Sequence, residues 1–400
     1  MPRMSQNQMK LFHPDHAIPQ LPVLGWATFK GHRRPKTPSR FDSPDRVYTT
    51  SGRAAIGLAL RILDVGRGDR VLVPSYHCPT MISPVTRLGA VPRFFPVTAT
   101  GAPDIEFLER QDVTGVRALL AVHYFGLPQP MSQVRAFCDA RGIALIEDCA
   151  HAYFGTSEGR TVGGWGDLAI ASLTKFFPVP EGGCLVSNAR ALDGNVLEPR
   201  RVIAELRAFF DSVEMGARHH RFPGLNSILH ALFGAKEVVR GRGRMNATPE
   251  GKEIDATSTG EAFSDELLRS RLTYASRKIA DRAHRSRIVE LRRRNYQLLA
   301  TLLADVPGAA PLSVELPESA VPYVFPLRVE RPVERYRALR AEKVPLFRWD
   351  QIWPGTPTLE GDHGGAWSTE MFQLGCHQDL TEDAIREIAT TVRRVFAAFA

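Results

Sequence analysis

The chain of 400 residues carries 51 Lys and Arg against 43 Asp and Glu, a formal net charge of +8, with 44% hydrophobic and 24% charged residues. That is the make-up of an ordinary soluble globular protein, long enough for one large and one small domain. No apolar run is long enough to span a bilayer, and no RNA- or DNA-binding motif stands out. The five cysteines (Cys78, Cys138, Cys149, Cys184 and Cys376) include no CxxC pair, so they read as reduced thiols and not as a metal cluster. The opening residues, MPRMSQNQMKLFHPDH, lack the apolar core of a signal peptide, and a cytoplasmic location is expected. The positive excess concentrates in 200–244 and 282–294. It suits a nucleotide diphosphate, nucleic acid or an anionic membrane no better than an arginine-rich solvated surface.

Residues 1 to about 45 form a basic arm in which Pro19, Pro22, Pro35, Pro38 and Pro44 break any long element. An extended segment packed over the body or a neighbouring subunit is expected. From Thr49 the pattern turns α/β. Helix Arg53–Leu63 leads to strand Arg70–Val73, and helix Pro79–Leu88 to strand Pro92–Pro96. Strand Ala118–Val122 ends at His123-Tyr124, and helix Met131–Arg141 leads to strand Ala144–Ile146. Strands Leu168–Ala171 and Gly183–Ser187 follow. Alternating helices and short apolar strands predict a mostly parallel sheet covered on both faces.

Residues 196–262 carry the weakest pattern: an amphipathic segment at Val202–Phe210, the stretch Arg218-His219-His220-Arg221, and a polar linker over 248–260 with little to bury. No carboxylate or cysteine sits at metal-ligand spacing from the two histidines, so no metal site is expected. A long helix is predicted over 265–304, broken at most once. Strand Tyr323–Val329, helix Val333–Glu342, strand Val344–Phe347 and a closing helix Thr381–Phe399 then make a small α+β domain. The expected division is an arm at 1–48, a large domain at 49–262 and a small domain at 263–400.

Three stretches carry chemistry. In GDLAIASLTKFFPVPEGG, Gly166 to Gly183, a buried strand ends in the hydroxyls Ser172 and Thr174, followed by Lys175. A lysine placed there is either an amine held for imine chemistry with a lowered pKa or a strand-end side chain reaching solvent. In ALIEDCAHAYF a strand ends in Glu147-Asp148, and a carboxylate at that end points into the ligand crevice of an α/β fold. Asp148 there suits a protonated pyridine nitrogen, or simply caps a helix. In TTSGRAAIGLAL small hydroxyls and glycine precede a helix whose N-terminus suits a phosphate.

In this order the three stretches resemble the DegT/DnrJ (StrS-type) aminotransferases, pyridoxal-phosphate enzymes of the aspartate-aminotransferase fold (fold type I). The matching motifs are SGRAAIGLAL, GRGDRVLVPSYHCPTMISPVTRLGAVPRFFPV, AVHYFGLPQPM, IALIEDCAHAYFG, TVGGWGD and SLTKFFPVPEGGCLVSN. They run from about Thr49 to Asn188, with a weaker match at Tyr323-Val-Phe-Pro-Leu-Arg-Val and Leu374-Gly-Cys-His-Gln-Asp-Leu. The resemblance implies a large domain with a seven-stranded, mostly parallel sheet and a smaller α+β C-terminal domain.

It also implies roles. Lys175 holds the cofactor covalently and later moves protons, and Asp148 keeps the ring cationic. His151 stands where the family often has a glutamine against the ring hydroxyl, its charge then depending on pH. The ring-stacking aromatic falls at Cys78, so Cys78 contacts the ring edge or His77 or Tyr76 stacks instead, with His77 favoured. Gly52, Arg53, Ser172 and Thr174 are the expected phosphate contacts, while His123, Tyr124 and Glu181 match positions lining the substrate site. An Asn-containing motif that reaches the neighbouring subunit's phosphate is missing, and 196–262 takes its place. The implied function is transfer of an amino group, with glutamate as donor, to a keto sugar nucleotide or similar ketone in polysaccharide or glycoside biosynthesis, by a homodimer with shared active sites. A different acceptor or reaction, or a non-catalytic binding protein, are the alternatives. Neither nucleic acid binding nor membrane insertion is expected.

Overall fold

The structure, a computed structural model, describes residues 18–31, 37–189, 191–192, 197–233 and 265–399. The predicted linker at 248–260 lies outside the described residues. A large sheet is built from β1 (Val47–Thr49), β2 (Arg70–Pro74), β3 (Val91–Phe95), β4 (Val116–Val122) and β5 (Ala144–Asp148). A two-stranded hairpin, β6 (Thr156–Ser157) and β7 (Arg160–Thr161), precedes its last strands, β8 (Leu168–Ser172) and β9 (Gly183–Ser187). The seven strands run in the order β1-β9-β8-β5-β4-β2-β3. The five from β8 to β3 are parallel, while β9 runs antiparallel to both its neighbours. The central strands LLAV, LIED and LAIAS are buried on both faces and are apolar up to their carboxyl ends, where Glu147, Asp148 and Ser172 stand.

Helices α1 (Gly52–Ile62), α2 (Pro79–Arg87) and α3 (Ser132–Arg141) cover this sheet. Every residue of α1 from Ala54 to Leu60 is buried, since the helix is wedged between β8, β9 and α2. Small residues make that fit possible. Its start is set by Ser51, whose hydroxyl accepts from Ala54 N at 3.2 Å. Register then fixes what meets at the sheet's carboxyl edge. Asp148 on β5 sits opposite Ile170 on β8, so Ser172 and the turn carrying Lys175 leave the sheet just beyond the aspartate.

The chain continues into α4 (Val202–Arg218) and a helix described over 226–233. The long helix predicted over 265–304 is instead three: residues 265–269, α5 (Tyr274–Arg282) and α6 (Arg285–Leu302). The first break comes where the backbone at 269–272 is recruited elsewhere. Glu198 N donates to Arg269 O, Arg271 N to Glu198 O, and Leu272 N to Tyr48 O. Ala283 and His284 make the second, with His284 N bound to Thr28 O.

A smaller antiparallel sheet in the order β10-β11-β13-β12 follows, with β10 (Ala309–Pro311), β11 (Val324–Val329), β12 (Leu346–Phe347) and β13 (Met371–Gly375). Helices α6, α7 (Pro332–Ala341) and α8 (Glu382–Ala397) complete this unit. In α8, Ile385, Ile388, Ala389, Val392, Val395 and Phe396 recur at helical spacing and are buried. Each large side chain in that stripe contributes about 1.5–3 kcal/mol. The arm is not wholly extended: it holds a short helix, Trp26–Phe29, and leans on the small sheet's unit through Val23 N to Asp379 and Gln20 to Leu346 O.

Candidate active site

Lys175 ends a short 3-10 turn directly after β8, between the buried Leu173 and Phe176. Its Nζ lies 5.3 Å from the Tyr323 ring centre and 5.8 Å from that of Trp349. Burial among these rings lowers its pKa to about 8, against the opposing pull of the Asp148 carboxylate and of Cys78. Asp148 is buried at the end of β5 and accepts from Ala150 N at 2.8 Å. Burial raises its pKa, while the Ala150 bond and the charge of Lys175 act the other way. The two form a buried amine–carboxylate couple in which desolvation disfavours both charges.

His151 is buried with its ring 4.7 Å from that of Tyr323 and 4.8 Å from that of Trp349. Its Nδ1 accepts from Phe125 N at 3.2 Å, which assigns the proton to Nε2. That Nε2 has no partner among the described residues. Burial holds the pKa of His151 well below the usual imidazole range. The expected pH-dependent charge is therefore corrected: His151 is a neutral donor with a spare N–H.

Gly52 and Arg53 occupy the first turn of α1. A Cβ on Gly52 would touch Ser172 Cβ at 3.4 Å, so the glycine brings the helix start against the end of β8. There the Ser172 and Thr174 hydroxyls lie 3.3 Å apart. Burial lowers the pKa of Arg53, with the Cys78 thiol acting in the opposite sense. Cys78, half-buried at the N-cap of α2, therefore acts electrostatically on both Arg53 and Lys175.

His77 does not join them. Its Nδ1 meets Pro74 O at 3.0 Å, its Nε2 accepts from Trp353 N at 2.9 Å, and its ring stacks on Phe94 at 5.3 Å. Both ring nitrogens and one face of His77 are thus engaged within the fold. Tyr76 is buried, 5.2 Å from the Trp349 ring, and accepts the Tyr124 hydroxyl on its carbonyl.

The three expected substrate residues are likewise committed to the fold. His123 bonds Glu147 at 2.8 Å and accepts from Gln129 N at 2.8 Å. Glu147 also accepts from the backbone of Gly163, Trp165 and Gly166. With Cys149 this trio lies within 4.8 Å, as metal ligands would, but the His123 and Glu147 ligand atoms are already spent on these bonds. Tyr124 spends its hydroxyl on Tyr76, and Glu181 accepts from Thr273 N at 3.1 Å with Arg200 at 3.9 Å.

Sequence reasoning missed two contributors from the second half of the chain. Trp349 rides on a strap, residues 348–364, that crosses to the large sheet. Trp353 N binds His77, Asp362 accepts from Ser75 Oγ at 2.6 Å and Val97 N at 3.0 Å, and His363 N donates to Val97 O. Arg292 of α6 is buried and donates to Lys175 O at 2.6 Å, to Pro322 O and Tyr323 O at 3.0 Å, and to Gln378 Oε1 at 2.8 Å. Gln378 in turn donates to Phe176 O. Arg292 gives no sequence signal, being one of three consecutive arginines. Tyr323 and Gln378 do fall in the two weakly matching C-terminal motifs.

A mostly parallel sheet whose carboxyl edge presents Lys175 and the buried Asp148, beside a second smaller sheet, is an architecture of the fold type I class. Residues 43–217 match the DegT/DnrJ/EryC1/StrS aminotransferase family. The chain is 28% identical to GDP-perosamine synthase of Vibrio cholerae over 48% of its length and 55% of that protein. It is 31% identical to UDP-N-acetyl-3-dehydro-alpha-D-glucosamine 3-aminotransferase of Acidithiobacillus ferrooxidans over 46% and 49%. The chain thus spans about half the length of the curated relatives it matches. The fold is similar to that of the aminotransferase TlmJ from Streptoalloteichus hindustanus, with a TM-score of 0.60 at 20% identity, covering 95% of this chain and 98% of that one. 3-Amino-5-hydroxybenzoic acid synthase gives a TM-score of 0.60 at 19% identity, over 95% and 99%.

Proposed function

We propose that this chain is a pyridoxal-phosphate-dependent aminotransferase that moves an amino group, with glutamate as donor, to a keto sugar nucleotide or similar cyclic ketone. The observation that carries the reading is Lys175, its pKa lowered to about 8, coupled to the buried Asp148 at the carboxyl edge of the parallel sheet. The residues present fit the cofactor, since the unpartnered Nε2–H of His151 is a buried donor that needs an acceptor. Gly52, Arg53, Ser172 and Thr174 would hold the phosphate, Asp148 the ring nitrogen, His151 the ring oxygen, and Cys78 would lie along the ring. When bound, the cofactor supplies an aldehyde for an amine and a ring that withdraws electrons from the substrate carbon.

The chain's own residues do the rest. Near pH 8 about half of the Lys175 amines are neutral, so Nζ can take a proton from a carbon held beside it and return it. Asp148 keeps a negative charge buried where a ring N–H is to be held. Tyr323 and Trp349 flank the amine with apolar faces, which keeps water from it and suits a ring-shaped acceptor. Assembly as a homodimer, a cytoplasmic location and a domain boundary near residue 263 belong to the same reading.

The test is the visible absorption of the purified protein with added pyridoxal phosphate, before and after glutamate, beside Lys175→Ala. A band that depends on Lys175 and fades on glutamate supports the proposal. A Lys175-dependent band indifferent to glutamate points to another donor or reaction. Absence of any band defeats the cofactor assignment and favours a non-catalytic binding protein.

A further inference from the structure

Helix α4 is inside out. The side it turns to the protein is built from small residues, Ala208, Ser212, Gly216 and Ala217, all buried. Gly216 backs so closely on the arm that an added Cβ would lie 2.0 Å from Leu24 O. The large apolar side chains point the other way. Val202 and Ile203 are 72% and 73% exposed, and Leu206, Phe209 and Phe210 are 53%, 48% and 47% exposed. Their spacing of i, i+1, i+4, i+7 and i+8 places all five on one stripe of an α-helix. Such a stripe ordinarily faces a core.

The next helix, over 226–233, extends the apolar surface. Leu225, Ile228 and Leu232 are exposed, and the His230 ring lies 5.1 Å from that of His220 at the end of α4. Trp26 stands beside it, half-exposed but fixed. Its ring meets Phe222 edge-on at 5.3 Å and its Nε1 donates to Pro223 O at 3.3 Å.

The charges on α4 are sorted by side. Arg201 and Arg207 are exposed beside the apolar stripe. The acids are withdrawn: Glu205 accepts from Tyr274 N at 2.8 Å, Glu214 pairs with Arg218 at 2.8 Å, and Asp211 is half-buried. A second copy docked through this stripe about a two-fold axis would bring a second set of exposed arginines into the contact, with no exposed acid on the helix to meet them. An anionic lipid surface meets both halves of the pattern. Its acyl boundary takes the Phe, Leu and Ile side chains, its phosphates take the guanidiniums, and an interfacial Trp sits at headgroup level. Among the described residues no helix is long and apolar enough to cross a membrane, so the contact is with the surface.

We propose that α4, with the following helix and Trp26, docks this chain onto an anionic lipid surface. The inference is independent of the reading of Lys175. The full chain is sedimented with vesicles of phosphatidylcholine alone and of phosphatidylcholine with phosphatidylglycerol, at low and high salt. Binding is expected to the anionic vesicles and to weaken with salt. The double variant Leu206→Glu/Phe210→Glu should lose it while keeping its far-ultraviolet circular dichroism. Arg201→Gln/Arg207→Gln should weaken it by about fivefold per arginine. Failure to sediment with any vesicle overturns the proposal, as does binding indifferent to lipid charge. So does a Leu206→Glu/Phe210→Glu variant that shifts only the oligomeric state, which would give the face to a second copy.

Discussion

At Lys175 the fold works against a charge, and that has a measurable sign. The folded amine loses its proton near pH 8, whereas the ordinary value is 10.5. Between those values the unfolded chain binds more protons, so folding stability rises with pH across that window. Below pH 8 the cost of a buried ammonium is present in full; above about 10.5 it is gone. The gap, 10.5 minus 8, corresponds to at most roughly 3 kcal/mol, because Asp148 shares the effect. Cofactor-free protein should therefore gain stability from pH 8 to 10 relative to Lys175→Met, by urea midpoint at each pH. Parallel curves for the two proteins would mean that the amine is not held in a desolvating site. The same desolvation keeps His151 neutral, which makes it a constant donor and not a switch.

At the scale of elements, the site depends on a close approach that only glycine permits. Gly183 opens β9 between Thr49 and Ser172, and a Cβ there would lie 2.1 Å from Ser51 O and 2.5 Å from Thr49 Oγ1. Those atoms belong to the strand and cap that launch α1, so they cannot yield without moving the helix start. Gly183→Ala should cost about 3 kcal/mol or more, read as a fall in Tm, and should weaken pyridoxal phosphate uptake more than Gly365→Ala, where an added Cβ meets nothing within 4 Å. This half of the molecule was legible in the sequence because its signals are local. A buried run ending in Lys175 or Asp148, and Ser51-Gly52 before an alanine-rich helix, each announce themselves within a dozen residues. The breaks within 265–304 were not legible, because no glycine or proline marks them; the backbone of Glu198 and Tyr48, distant in sequence, unwinds the chain there. The bond of His77 to Trp353 was not legible for the same reason, since the two are 276 positions apart.

The whole molecule makes the site by bringing two sheets' units together, and the strap at 348–364 is where they are fastened. Asp362 Oδ1 holds three donors at once: Ser75 Oγ at 2.6 Å, Val97 N at 3.0 Å and Gly364 N at 2.9 Å. At the other end the acceptor is His77 Nε2, whose pKa burial lowers to about 4 from 6.5. Between the two ends Trp349 packs on Tyr76 and His151, with ring centres 5.2 and 4.8 Å apart. Asp362→Ala leaves those donors without their acceptor, a loss of about 1–3 kcal/mol for the unsatisfied backbone group alone. Exchange of the amides over 349–364 should then quicken by about ten- to a hundredfold, while those of β4, β5 and β8 keep their protection. Acid should loosen the strap from its other end. Between pH 6.5 and about 4 the unfolded chain binds the extra proton at His77, so stability falls as pH falls through that range, and a protonated Nε2 can no longer accept from Trp353 N. Hydrogen exchange of wild type and Asp362→Ala at pH 7 and pH 4.5 separates the two ends. If neither the variant nor the acid changes exchange in the strap, the packing of Trp349 against Tyr76 and His151 holds the two units together without the polar fasteners.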